Sequence, residues 1–208
     1  MQRTRIKICG LTRVEDVQAA VAAGADAIGF VFYSKSPRFV SIEQASALMA
    51  HVPPFVTTVG LFVNAEPDDV NATLDALPLQ LLQFHGDETE AECVRYNRPY
   101  IRAVRMRAGV DLVEYAACFP SARAFLLDAF VEGYGGGGKV FDWSLIPDGF
   151  APPLILSGGL DADNVAEAIE RVHPWAVDVS SGVETEVKGI KDAVAIDRFI
   201  SGVRNADG

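Results

Sequence analysis

"RIKICGLTRVEDVQAAVAAGADAIGFVF", residues 5–32, decides the architecture. Its first five residues, "RIKIC" (5–9), form a short, mostly apolar run that reads as a strand. "VEDVQAAVAAG" (14–24) then places Val17, Val21 and several alanines on one helical face and stops on Gly24. "AIGFVF" (27–32) is a second apolar strand. Strand, helix and strand in so short a stretch make a parallel crossover unit.

The unit recurs to the end of the chain. Strands are expected at 57–63, 79–86, 100–106, 124–130, 153–159 and 176–182. Helices are expected at 41–52, 67–77, 89–96, 111–119, 162–172 and 192–204, with a weak helical stretch after the glycine-rich loop "VEGYGGGGKVFDW" (131–143). Ser41 with Gln44 is a capping box, and Pro67 with two aspartates suits a first helical turn. Eight strand–helix units share 208 residues, about 26 each. "GFVF", "AFLL" and "LILS" are the apolar runs of strands covered on both faces. Eight such units closing on themselves give an α/β fold, a single-domain (β/α)₈ barrel over residues 1–208. An open doubly wound sheet is disfavoured because no GxGxxG follows the first strand. "GL" at 10–11 before "DVQAAV" and at 159–160 before "NVAEAI" suggest a half-repeat.

Composition narrows the function. Half the residues are hydrophobic, enough for one sizeable core, and the net charge is -10. No basic block offsets that charge, so a nucleic-acid surface is not expected. An anionic ligand would need a local site of backbone N–H groups and one or two cations. No apolar run spans a bilayer, and "MQRTRIKICG" carries no apolar core of a signal peptide. Three cysteines without metal spacing fit a reducing cytoplasm. Neither metal nor cofactor is expected.

A barrel of this kind works at the carboxyl ends of its strands. That rule selects Cys9, Arg38, Gln83, His85, Asp128, Ser157-Gly158-Gly159, and Asp178 through Gly182. "SGGL" (157–160) and "SSGVE" (180–184) are small, glycine-containing turns after strands seven and eight, where backbone N–H groups can cradle a phosphate. Asp128 ends an apolar strand and is costly to bury as an ion, which suits a general acid. Arg38, fixed by Pro37, could clamp a carboxylate with two hydrogen bonds or simply lie on the surface. Cys9 is either a small core residue or a base. As a base it needs a depressed pKa. Cys93 and Cys118 read as packing residues.

These residues lie in motifs that resemble one family: "KICGLT" (7–12), "GFVFYSKSPRFV" (29–40), "VGLFVN" (59–64), "LQFHGDE" (82–88), "LLDA" (126–129), "GGGGKVFDW" (135–143), "LSGGL" (156–160) with "NV" (164–165), and "DVSSGVE" (178–184) with "GIKD" (189–192). In this order they are similar to phosphoribosylanthranilate isomerases of tryptophan biosynthesis. The resemblance implies a cofactor-free Amadori rearrangement of N-(5-phosphoribosyl)anthranilate, a small phosphorylated substrate. It implies Cys9 as general base, Asp128 as general acid, and Arg38 facing the anthranilate carboxylate. Gln83, His85 and Asp178 join as substrate-binding candidates. Gly158, Gly159, Ser180, Ser181 and Gly182 are the implied phosphate contacts. Gly137 and Val140 stand where the family's loop usually has threonines, which implies a looser loop. Monomer and homodimer both remain open. The competing readings are another sugar-phosphate barrel enzyme, a phosphate-binding module without acid–base chemistry, and a redox thiol protein.

Overall fold

In the computed structural model, which describes residues 3–130 and 140–208, eight strands close in chain order into one barrel. They are β1 (Arg5–Cys9), β2 (Ala27–Val31), β3 (Thr57–Phe62), β4 (Leu81–Phe84), β5 (Tyr100–Met106), β6 (Ala124–Ala129), β7 (Leu154–Leu156) and β8 (Ala176–Val179). Every neighbouring pair is parallel, and β8 returns to β1 with Lys7 beside Asp178. Outside lie α1 (Val14–Ala23), α2 (Ile42–Met49), α3 (Pro67–Ala76), α4 (Glu90–Val94), α5 (Leu112–Ala117), α6 (Val165–Val172) and α7 (Ala193–Asp207).

Local chemistry explains most boundaries. Gly24 ends α1 in the left-handed region at φ 95°, where a side chain is costly. Ser41 and Gln44 form the expected reciprocal capping box, and Pro67 opens α3. Gly10 and Gly159 of the half-repeat both have positive φ, 76° and 66°. Each is followed by a buried leucine, Leu11 or Leu160, that pins the turn beneath the next helix.

Three expectations are corrected. Strands seven and eight are shorter than read: the chain leaves the sheet after Leu156 and Val179, and Ser181–Val183 form a 3₁₀ turn. Among the described residues, the sixth unit has no α-helix, only a 3₁₀ turn at Trp143–Leu145. Pro147, Gly149, Pro152 and Pro153 follow closely, and proline cannot continue a helical ladder. Cys118 caps α5 and is exposed, whereas Cys93 is buried as expected. The "GGGG" run with Gly137 lies outside the described residues. Val140 is exposed.

Strand alternation sorts the core into two shells. Ile6 and Ile8 of β1 face the helices and join the large outer core with Phe199 and Val203 of α7. The inward residues Ile101, Ala103, Ala124, Leu126, Ile155 and Ala176 fill the barrel with a dry layer. Lys7, Gln83 and Asp178 are also buried. By alternation they lie one step further along their strands, beneath the open end. Among the described residues, no helix is long and apolar enough to cross a membrane.

Candidate active site

The barrel's carboxyl end opens into a cavity lined by Cys9, Arg38, Gln83, His85, Asp128, Ser157, Gly158, Gly159, Asp178, Ser180 and Ser181. Gly182 follows directly behind. Residues separated by up to 172 positions in sequence thus meet because each stands at a strand end.

Cys9 is the last residue of β1, two positions after Lys7 and on the same inward face. Its register partner on β2 is Gly29, and this glycine is needed: a Cβ there would stand 2.8 Å from the Cys9 sulfur. The thiol borders the cavity yet is 4% exposed. Burial pushes its pKa above the ordinary thiol value. Lys7 and Lys191 pull it down, while Asp178 pushes it up further. That direction is opposite to the depressed pKa a base at this position needs. The competing effect is desolvation, which disfavours thiolate more than the neighbouring ammonium groups favour it.

Lys7 itself is held by Asp178. Its Nζ donates to Asp178 Oδ1 at 2.7 Å, and both side chains are almost fully buried. Ser157 Oγ donates to Asp178 Oδ2 at 3.1 Å. Both oxygens of Asp178 thus have protein partners, so its carboxylate braces the cavity floor.

Asp128 stands three strands from Cys9 around the wall. Both side chains border the one cavity. His85 Nε2 approaches Asp128 Oδ2 at 3.3 Å, and Gln83 Nε2 meets His85 Nδ1 at 3.1 Å. If the Gln83 amide donates, the imidazole proton sits on Nε2 and points at a carboxylate. If the amide is turned, Gln83 Oε1 accepts from Nδ1 and Nε2 can accept from a protonated Asp128. The buried Gln83 Oε1 has no partner in the first arrangement and gains one in the second. The trio can therefore hold a proton on either member.

Arg38 is not on the surface. Its Nε and Nη2 donate to the two oxygens of Glu184 at 2.7 and 2.8 Å. Its stem crosses Gly10, where a Cβ would meet Arg38 Cδ at 2.5 Å. Among the described residues, Nη1 alone lacks a protein partner.

The two glycine turns abut. A Cβ on Gly182 would stand 1.9 Å from the Leu160 carbonyl oxygen, and one on Gly158 would stand 2.5 Å from the Ala129 nitrogen. Among the described residues, no turn or loop hydrogen bond uses the N–H of Gly158 or Gly159. Ser181 and Gly182 open a 3₁₀ turn, whose first N–H groups have no intrahelical acceptor. The Ser180 hydroxyl is engaged elsewhere: it donates to the Cys9 carbonyl at 3.0 Å and accepts from Lys191 Nζ at 3.2 Å. Lys191, wholly buried, also donates to the Ser180 carbonyl and to Glu184. Among the described residues, no three His, Cys, Asp or Glu side chains gather as metal ligands.

Sequence reading missed Lys7, Glu184 and Lys191. Lys7 was detectable, because strand alternation puts it on the face of Cys9. Glu184 and Lys191 gave no local signal.

The chain is similar to known proteins along nearly its whole length. The family model described as N-(5'phosphoribosyl)anthranilate (PRA) isomerase matches residues 6–202. The chain is 64% identical over 205 residues to N-(5'-phosphoribosyl)anthranilate isomerase of Methylibium petroleiphilum, covering 99% of this chain and 96% of that protein. The Dechloromonas aromatica enzyme of the same name is 63% identical, covering 99% and 98%. A crystal structure of phosphoribosyl anthranilate isomerase from Thermotoga maritima superposes with a TM-score of 0.89 at 43% identity, covering 97% of this chain and 99% of that one. Another, in complex with reduced 1-(o-carboxyphenylamino)-1-deoxyribulose 5-phosphate, gives 0.82 at 38% identity, with the same coverage. The chain belongs to the N-(5'-phosphoribosyl)anthranilate isomerase family.

Proposed function

We propose that the chain converts N-(5'-phosphoribosyl)anthranilate to 1-(2-carboxyphenylamino)-1-deoxyribulose 5-phosphate in the cytoplasm, as a step of tryptophan biosynthesis, by acid–base catalysis. One observation carries the reading: a thiol and a carboxyl, three strands apart, line one cavity together with residues of the two glycine turns. The names of the family and of its relatives supply the substrate.

In this reading the phosphate sits on the N–H groups of Gly158, Gly159, Ser181 and Gly182, with the Lys191 ammonium behind them. Ser180 contributes its backbone, since its hydroxyl is engaged. Arg38 meets the anthranilate carboxylate through Nη1 while Glu184 holds the other two nitrogens. Asp128 gives its proton to the furanose oxygen as the C1–O bond breaks, leaving an iminium ion. Gln83 and His85 orient the Asp128 carboxyl. The Cys9 thiolate takes the proton from C2, and the electrons of that bond neutralise the iminium as an enolamine. Proton return at C1 and loss from the C2 hydroxyl give the ketone. Each positioned proton transfer contributes about 10²–10⁴-fold.

Purified protein mixed with N-(5'-phosphoribosyl)anthranilate tests this directly. Loss of substrate fluorescence with formation of the ketose product is expected. A correctly folded preparation that leaves the substrate unchanged contradicts it.

A further inference from the structure

The proposed base has a difficulty. Cys9 is buried, and burial opposes its ionisation. Something at the site must favour thiolate, and the groups facing the sulfur are few. From β1 comes Lys7, from β8 Asp178, and from the segment before α7 Lys191. The β2 side offers the bare backbone of Gly29; Val31, Leu61 and Val63 are apolar, and the Tyr33 ring packs against the same cluster. Arg38, His85 and Asp128 border the same cavity. Of the cations, Lys191 is committed to Ser180 and Glu184.

Lys7 is different. Its Nζ and Cε both lie 3.3 Å from the point where a Gly29 Cβ would stand, and the Cys9 sulfur lies 2.8 Å from the same point. Ammonium and thiol therefore flank the same point beside the glycine. We infer that Lys7 is a positioning residue for the proposed base: its ammonium, held by Asp178 beside Cys9, is the counterion that lets the thiol release its proton.

A purely structural role explains the pair less well. Buried ion pairs can often be replaced by apolar side chains at no cost in stability, and another part of the barrel interior is already filled that way. The pair instead stands directly beneath the thiol. The Lys7 ammonium is held well above its usual range: burial pulls it down, but Asp178 and Cys9 outweigh that. It thus remains a cation throughout. The thiol proton leaves to solvent, the thiolate takes the C2 proton, and the thiol is restored with Lys7 unchanged.

This inference rests on the proposed role of Cys9, and its test separates the two. In a Cys118→Ser background, modification of Cys9 by the small reagent methyl methanethiosulfonate is followed against pH by peptide mass, beside kcat/KM. The Lys7→Gln/Asp178→Asn pair removes both charges and leaves no buried ion alone. Lys7→Met/Asp178→Asn serves if the first pair misfolds. The inflection of both profiles is expected to move up by at least one pH unit, a tenfold loss of thiolate at fixed pH, with Lys7→Arg restoring part of it. A folded double variant with a wild-type modification profile overturns the inference. If Cys9→Ala retains turnover, the base assignment fails instead, whatever Lys7 does.

Discussion

Glu184 grips the Arg38 guanidinium with both oxygens, although 146 positions separate them in the chain. Lys191 Nζ and the Gly189 N–H also donate to Glu184 Oε1. The carboxylate thus fixes the arginine plane and leaves Nη1 as the group available to a ligand. Arg38→Met is expected to raise KM about tenfold or more through loss of a charge-assisted hydrogen bond, with a smaller effect on kcat. Inhibition by inorganic phosphate, which needs no arginine clamp, stays unchanged. Steady-state kinetics with phosphate as competitor check both halves.

The same pair sets an acid limit. Burial pushes the Glu184 carboxyl up, but hydrogen bonds and charge from Arg38 and Lys191 outweigh it, so its pKa lies below the usual value. Its stabilising contribution is fully present above the usual glutamate pKa of about 4.3 and is lost as pH falls through the lowered value. Denaturation at pH 7, 5 and 3 compares wild type with Glu184→Gln. The stability gap is expected to be equal at pH 7 and 5, about 3–5 kcal/mol for breaking a buried pair, and to narrow at pH 3.

Gly29→Ala tests the placement of the thiol without touching it. The new methyl collides with the Cys9 sulfur at 2.8 Å, so the thiol must rotate away. A displacement of about 1 Å costs on the order of 10²-fold in rate. Turnover is expected to drop by that order while phosphate inhibition persists.

Gln83→Leu removes the group that orients His85. One hydrogen bond of about 1–1.5 kcal/mol predicts a fall in kcat of roughly tenfold, with KM little changed. Asp128→Asn, which removes the acid itself, is expected to cost about 10²–10⁴-fold.

The three cysteines are expected to react in a fixed order. Cys118 is exposed and is modified first, without loss of activity. Cys9 follows slowly, with full inactivation. Cys93 is buried, and burial pushes its thiol up to about 12, so it reacts only after unfolding. Peptide mass mapping against residual activity reads the order.

Much of this was legible in the sequence because strand order and side-chain alternation are local. "RIKIC", "AIGFVF" and "AFLLDA" announce strands by their apolar runs, and the barrel rule then carries Cys9, His85 and Asp128 to one mouth. Two glycine turns marked the end of the cavity proposed here for phosphate. That the described residues of the sixth unit hold no α-helix was visible only in the prolines of "PDGFAPP" (147–153), which the expectation of regular repeats overrode. The side-chain partners of Asp178 and Ser180 were hidden for another reason. Their partners, Lys7 and Lys191, reach them only after the barrel closes. Likewise, alternation cannot say whether a neighbouring cation or desolvation decides the state of a thiol. That balance depends on how tightly the chain packs.

The most direct measurement is the single-turnover rate of Cys9→Ala with N-(5'-phosphoribosyl)anthranilate, beside its binding constant. The account predicts a rate lower by about 10² or more with affinity nearly intact. A variant that turns over at close to the wild-type rate contradicts it.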